Sequence, residues 1–203
     1  MTRKGLIIRI VVFLIVAGVG FTADLATKAW IFARLGMPGE KPVWWLIPSV
    51  FGFQTSLNEG ALFGMGQGMT PWFALLSVLF ALGIVMWLFF GGAARSWWMT
   101  ISLAAITAGI FGNLYDRLGF HGLRWHEAGP LHQVGDPVYA VRDWILVMIG
   151  RWPWPNFNIA DSLLVCGVTA LVIHMLWFSE AEAQGQAAEG AKSVVPRGPV
   201  GPG

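Results

Sequence analysis

Apolar residues along this chain gather into four long blocks. The first runs from about residue 5 to residue 23 and is broken only by Arg9. The second covers residues 71–94 and the third residues 97–115, neither with any charge. The fourth, residues 159–178, holds Asp161 near its start and His174 near its end. About 20 apolar residues at helical rise match the hydrocarbon thickness of a bilayer. In lipid only helices and closed barrels satisfy their own backbone polar groups. Barrel strands are shorter and alternate in polarity, which these blocks do not. The pattern predicts four transmembrane helices. The first block also fits a secretory signal peptide, with Arg3 and Lys4 ahead of it and small residues near Ala23. Asp24 and Lys28, just beyond, favour a retained helix.

Between the blocks lie two long segments and a tight turn. Residues 33–70 contain Pro38, Pro42 and Pro48, and the stretch from Val43 to Leu57 has the character of short strands. Residues 91–96 make the turn. Residues 116–158 read as a long polar and aromatic loop. Beyond residue 179 the chain becomes rich in Glu, Ala, Gly, Gln and Pro, with little to pack, so residues 180–203 are expected to be a disordered tail. The expected domain is residues 1–179.

Composition agrees with this layout. Apolar residues make up 56% of the chain and charged residues 12%; a soluble domain carries about 25% charged residues. The 12 tryptophans suit membrane–water interfaces. A net charge of +2 with no basic run excludes a nucleic-acid partner. The single cysteine, Cys166, reads as a small apolar residue. Arg3, Lys4 and Arg95, in short segments beside helix ends, favour cytoplasmic termini and put both long loops outside.

Charged residues at the block ends are the candidates for chemistry. Asp161 opens the fourth block, where it is either functional or a helix cap. Asp143 is, by itself, an ordinary loop acid. Two carboxylates sharing one site cannot both ionise cheaply, which splits them into an acid and a base. The histidines lack metal-ligand spacing, no nucleophile elbow is present, and no phosphate-binding glycine loop occurs. No metal and no cofactor are expected. Three further clusters are Asp24 with Lys28, Asn58 with Gly60, and Asn113 with Asp116 and Arg117. Their plain readings are a local ion pair, a loop and a helix cap.

Taken in order, five clusters resemble the lipoprotein signal peptidase (signal peptidase II) family. They are Asp24/Lys28, Asn58/Gly60/Ala61, Gly112/Asn113/Asp116/Arg117, Val141/Asp143 and Phe157/Asn158/Ala160/Asp161. The resemblance implies four transmembrane helices with a small extracytoplasmic sheet. It implies a globomycin-sensitive aspartyl endopeptidase of the bacterial inner membrane, acting as a monomer. Its substrates would be prolipoproteins cut just before a diacylglyceryl-cysteine. It casts Asp143 and Asp161 as the catalytic pair, with Asp116 the competing acid. Asn58, Gly60, Asn113, Asp116, Arg117 and Asn158, together with Asp24 and Lys28, would support the site or the substrate. Residues 118–140 look like an insertion in the second outer loop. Arg142 stands where the family has an apolar residue, and it is expected to set a cation beside the pair. The alternative is a non-enzymatic membrane protein, a transporter subunit or an assembly factor. Transport sites lie near mid-membrane, whereas these acids gather at helix ends.

Overall fold

The computed structural model describes residues 2–60 and 65–193, with side chains as far as residue 176. Four helices carry the fold: α1 (Arg3–Leu35), α2 (Thr70–Phe89), α3 (Trp97–Arg117) and α4 (Ile159–Ser193). All four hold windows long and apolar enough to cross a membrane.

α1 is far longer than its apolar block. It has 33 residues, begins on the Thr2 cap and ends where Gly36 adopts φ 78°. Asp24 and Lys28 break the hydropathy of the block but not the helix. They sit four apart on one face and are fully buried. The last turns, from Ala29 to Leu35, are made mostly of good helix formers.

α2 is exposed nearly all round, with Trp72, Leu79, Phe80 and Met86 on its outer faces. Such a helix is stable only in an apolar medium. It stops before Gly91 and Gly92, the latter at φ 82°, and one 3-10 turn, Ala93–Arg95, leads into α3. In α3, 67% of the apolar window is buried, against 6–17% in the other three. It is therefore the central helix, with α1, α2 and α4 all packed against it.

Lipid tails are as apolar as leucine, so helices in a membrane gain their cohesion from close packing and internal polar contacts. Small residues provide that closeness along α3 and α4. A Cβ on Gly109 would stand 2.4 Å from the Ala160 carbonyl oxygen, and one on Gly112 would stand 2.5 Å from Asp24 Oδ2.

The predicted strands between residues 43 and 57 are present as β1 (Trp44–Ile47) and β2 (Phe51–Asn58). Their tight connection has Ser49 at φ 57°. The segment 116–158, expected to be loop, instead contains β3 (Val141–Ile149) and β4 (Trp152–Pro153). The four strands form one antiparallel sheet in chain order. Within β3, Trp144–Ile149 is a continuous apolar run, as a strand covered on both faces should be. In the register, Ser56 faces Asp143 and Asn58 faces Val141, with an irregularity between Phe53 and Ser56. Trp144, Ile145, Phe51 and Phe53 pack on Ile31, Phe32 and Leu35 of α1. This contact fixes the sheet on the end of the bundle where α1 and α3 finish and α4 begins.

Residues 118–140 fold as a hairpin-like excursion. Arg124 bridges Pro137, Val138 N–H donates to Leu123 O, and the Trp125 and His132 rings stack at 3.6 Å. Its base packs with Met37, and His126 Nδ1 lies 2.8 Å from Glu40 Oε1. At the other end of the chain, helical backbone continues to Ser193, beyond the point where a structureless tail was expected. Glu, Ala and Gln leave this segment little to bury, but they also favour helix, and extending an existing helix needs no new nucleus. Residues 194–203, and Ala61 of the second motif, lie outside the described residues.

Candidate active site

Three chain segments meet under the sheet. β3 brings Asp143, the first turn of α4 brings Asn158 and Asp161, and the last turns of α3 bring Asn113, Asp116 and Arg117. α1 supplies Asp24 and Lys28.

The start of α4 explains Asp161 locally. Asp161 N–H donates to Asn158 Oδ1 at 2.9 Å, and Asn158 N–H donates back to Asp161 Oδ2 at 3.2 Å. This is the reciprocal arrangement of a capping box. The capping reading of Asp161 therefore holds, but it occupies one carboxylate oxygen only. The other, Oδ1, accepts from Asn113 Nδ2 at 2.8 Å.

Asn158 is fully buried and faces both acids. Its Nδ2 donates to Asp143 Oδ1 at 2.7 Å and also lies 3.1 Å from Asn113 Oδ1. Asn113 Oδ1 accepts Lys28 Nζ as well, at 3.0 Å. The two amides thus link Asp143 to Asp161, each through donors that only one amide orientation provides. Asn58, on β2, adds a side-chain hydrogen bond to Asp143. Burial holds the Asp143 carboxyl well above the usual carboxylate range, and the Asp161 charge pushes it further the same way. Lys28 and the two asparagines act in the opposite sense and do not prevail.

Asp24, Lys28, Asp116 and Arg142 form a separate cluster. Lys28 Nζ lies 2.7 Å from Asp24 Oδ2 and 3.1 Å from Asp116 Oδ2. Arg142 closes on Asp116 through Nε at 3.0 Å, Nη2 at 2.8 Å and its backbone N–H at 3.0 Å. Asp24 Oδ1 meanwhile accepts from Ala160 N–H at 2.8 Å. Two acids and two bases are paired out of water, so the cluster is electrically closed. Asp24 and Lys28 make the local ion pair their spacing suggested, but buried within a larger cluster. The expectation for Arg142 also changes. Its guanidinium is spent on Asp116, on the face of β3 opposite Asp143, because neighbouring strand residues point to opposite sides.

Arg117 borders the pair from α3. Its Nη2 donates to Gly60 O at 3.3 Å, the guanidinium lies 5.6 Å from the Phe73 ring, and Nε has no hydrogen-bond partner although shielded from solvent. Gly60 N–H donates to Asn58 Oδ1 at 3.0 Å, which ties the second motif to the same place. Asp143 is 2% exposed, whereas Asp161 and Arg117 are partly exposed, so the site opens on the Asp161 side. Among the described residues, no group of three or more His, Cys, Asp or Glu is set to hold a metal ion.

By fold and site this is a four-helix membrane protein with two carboxyls gathered at one end of its bundle. Solved structures agree on the fold. One described as a bacterial membrane enzyme superposes with a TM-score of 0.67 over 83% of this chain and 89% of its own, at 24% identity. A second, described the same way, gives 0.63 over 81% and 92%, at 25% identity. The family model for signal peptidase (SPase) II matches residues 15–177, and the chain belongs to that peptidase family. A lipoprotein signal peptidase of Rhodopirellula baltica is 48% identical over 166 residues, 81% of this chain and 71% of that one. One of Pseudomonas aeruginosa is 31% identical over 175 residues, covering 84% and 89%. Family membership sets aside the non-enzymatic alternative.

Proposed function

We propose that this chain is an aspartyl endopeptidase that removes the signal peptide of prolipoproteins just before a diacylglyceryl-cysteine. The observation that carries the reading is the convergence of Asp143 and Asp161 on Asn158, with Asp143 held towards its protonated form. Both oxygens of Asp161 accept N–H hydrogen bonds, and in this reading it acts as the base. Asp161 takes a proton from water as its oxygen attacks the scissile carbonyl carbon. Asp143 gives its proton to the carbonyl oxygen. When the tetrahedral intermediate collapses, the C–N bond breaks, the proton on Asp161 passes to the leaving amine, and Asp143 regains its own. Positioned acid–base groups contribute ~10²–10⁴-fold to such a step. The two carboxyls supply both proton transfers, so chelators should leave the rate unchanged.

The supporting residues divide by contact. Asn58, Asn113 and Asn158 orient the carboxyls. Arg117, with its free Nε and its hold on Gly60, faces the open side and receives the substrate backbone. Asp24, Lys28 and Asp116 fix α1 and α3 to α4 beneath. Residues 1–179 make up the working unit, as a monomer.

A site at the ends of membrane helices suits a substrate held in lipid by its own acyl chains. Each buried CH₂ adds about 0.8 kcal/mol of membrane affinity, and two chains anchor stably. Both termini then lie in the cytoplasm and the acid end outside, as Arg3, Lys4 and Arg95 at the other end favour. Impermeant thiol labelling in a Cys166→Ala background tests this: outside labelling at position 38 or 130 supports it, and at position 185 refutes it. The activity itself is tested with purified protein and one prolipoprotein, before and after diacylglyceryl transfer to its cysteine. Cleavage of the lipidated form only, blocked by globomycin and by Asp161→Asn, is the expected result. Equal rates for the two forms would remove lipid recognition from the site.

A further inference from the structure

At the opposite end of the bundle a cavity of about 420 Å³ opens between α1 and the start of α3, lined by Gly5, Ile8, Arg9, Arg95 and Trp97. At 1.5 Å per residue, Arg9 is roughly 20 Å along α1 from Asp24, so the cavity is separate from the acid site. Arg9 is the residue that interrupts the first apolar block, and a cation in such a segment is costly unless it has a task. Its guanidinium lies over the Trp97 ring, 3.5 Å from the centroid. Nη2 reaches the Arg95 carbonyl at a long 3.4 Å. Nη1 is screened from solvent and has no hydrogen-bond partner. An orphaned donor on a charged group normally has a ligand to satisfy it.

The cavity wall has two guanidinium groups and no carboxylate. Among the described residues neither arginine is ion-paired. Held on Trp97, Arg9 is pre-organised, and a planar guanidinium matches the paired oxygens of a phosphate. Ile8 and Trp97, which line the cavity, are both about half exposed. The rim is therefore apolar where the floor is cationic. A soluble anion has no use for such a rim, whereas a phosphodiester carrying acyl chains fits both parts.

We propose that Arg9, Arg95 and Trp97 form a binding site for the headgroup phosphate of an anionic phospholipid, its acyl chains lying along α1 and α3. The site clamps the start of α1 to the α2–α3 turn and seats this end of the protein at the interface.

Native mass spectrometry on the full chain released from detergent tests it. The probes are phosphatidylglycerol and phosphatidylcholine with identical acyl chains, and inorganic phosphate. The wild type should retain one phosphatidylglycerol in preference to phosphatidylcholine. Arg9→Gln and Arg95→Gln should each weaken that retention roughly tenfold. Arg95 is exposed, so its substitution leaves the fold intact even if Arg9→Gln does not. Excess inorganic phosphate should not displace the lipid. Equal retention of the two lipids, or retention unchanged in Arg95→Gln, overturns the proposal. Full displacement by inorganic phosphate also overturns it, leaving a simple anion site. Cleavage activity in detergent stays near wild type in Arg95→Gln, which separates this outcome from any failure of the peptidase reading.

Discussion

Asp116 and Asp143 are both buried, both lie at the sheet end of the bundle, and both neighbour Arg142, yet their surroundings differ in kind. Each Asp116 oxygen is matched by cations or N–H groups from Lys28 and Arg142. Asp143 receives only neutral asparagine donors and faces a second carboxylate. The first environment stabilises a fixed charge. The second leaves a proton in play. Burial does not separate the two carboxylates; the charge balance within hydrogen-bond reach does, and it makes Asp143 the candidate for chemistry. The two clusters also touch, because Lys28 holds Asn113 and Asn113 holds Asp161. The closed cluster is thus the rigid floor on which the open pair stands.

The sharpest break of this contrast is in turnover. Asp143→Asn and Asp161→Asn should each lower kcat by ~10³-fold or more, with the protein still folded and monodisperse. Near-normal cleavage by Asp143→Asn would reverse the contrast and hand the role to Asp116.

The second break is in stability. Asp116→Asn leaves Lys28 with one of its two carboxylates and takes from Arg142 the carboxylate its guanidinium is paired with, and removing one member of a buried ion pair costs about 3–5 kcal/mol. Thermal unfolding in detergent should show a large fall in Tm. Arg142→Met added to Asp116→Asn should recover part of it. A wild-type Tm for Asp116→Asn alone would mean the cluster is not closed as described. A smaller loss is expected from Gly112→Ala, whose new Cβ meets Asp24 Oδ2 and the Ala160 Cβ. Overpacking of this kind costs about 1–3 kcal/mol, again read as Tm.

How much of this is legible in the sequence differs by element. The four helices are, because lipid demands long apolar blocks and little else produces them. The end of α1 is not, since Asp24 and Lys28 end the hydropathy signal while their partners Asp116 and Asn113 lie far away in sequence. β3 escapes notice because Arg142 and Asp143 open it as a polar loop would, and Trp144–Ile149 is a short apolar run without alternation. The motif residues can be singled out one by one, and the resemblance orders them. Which acid is neutralised and which is not depends on Arg142, whose direction only the strand register supplies.

The finest test is pH. Asp143 has a folded-state pKa raised above its unfolded one. A raised acid binds its proton more tightly when folded, so the native state holds more protons between the two values. Stability should therefore fall as pH rises from the ordinary carboxylate range towards the raised value, and level off above it. Every tenfold gain in proton affinity on folding corresponds to about 1.4 kcal/mol of that decline. Asp143→Asn cannot ionise, so its stability should lack the decline and match or exceed wild type at neutral pH. The rate profile follows the same logic. Cleavage requires one carboxyl ionised and one protonated, which gives a bell whose alkaline limb lies above the ordinary carboxylate range. Both limbs belong to the coupled pair rather than to single residues. Paired profiles of Tm and kcat/KM against pH, for wild type and Asp143→Asn, measure both at once. A wild-type Tm that rises with pH through this window would place the retained proton elsewhere than Asp143.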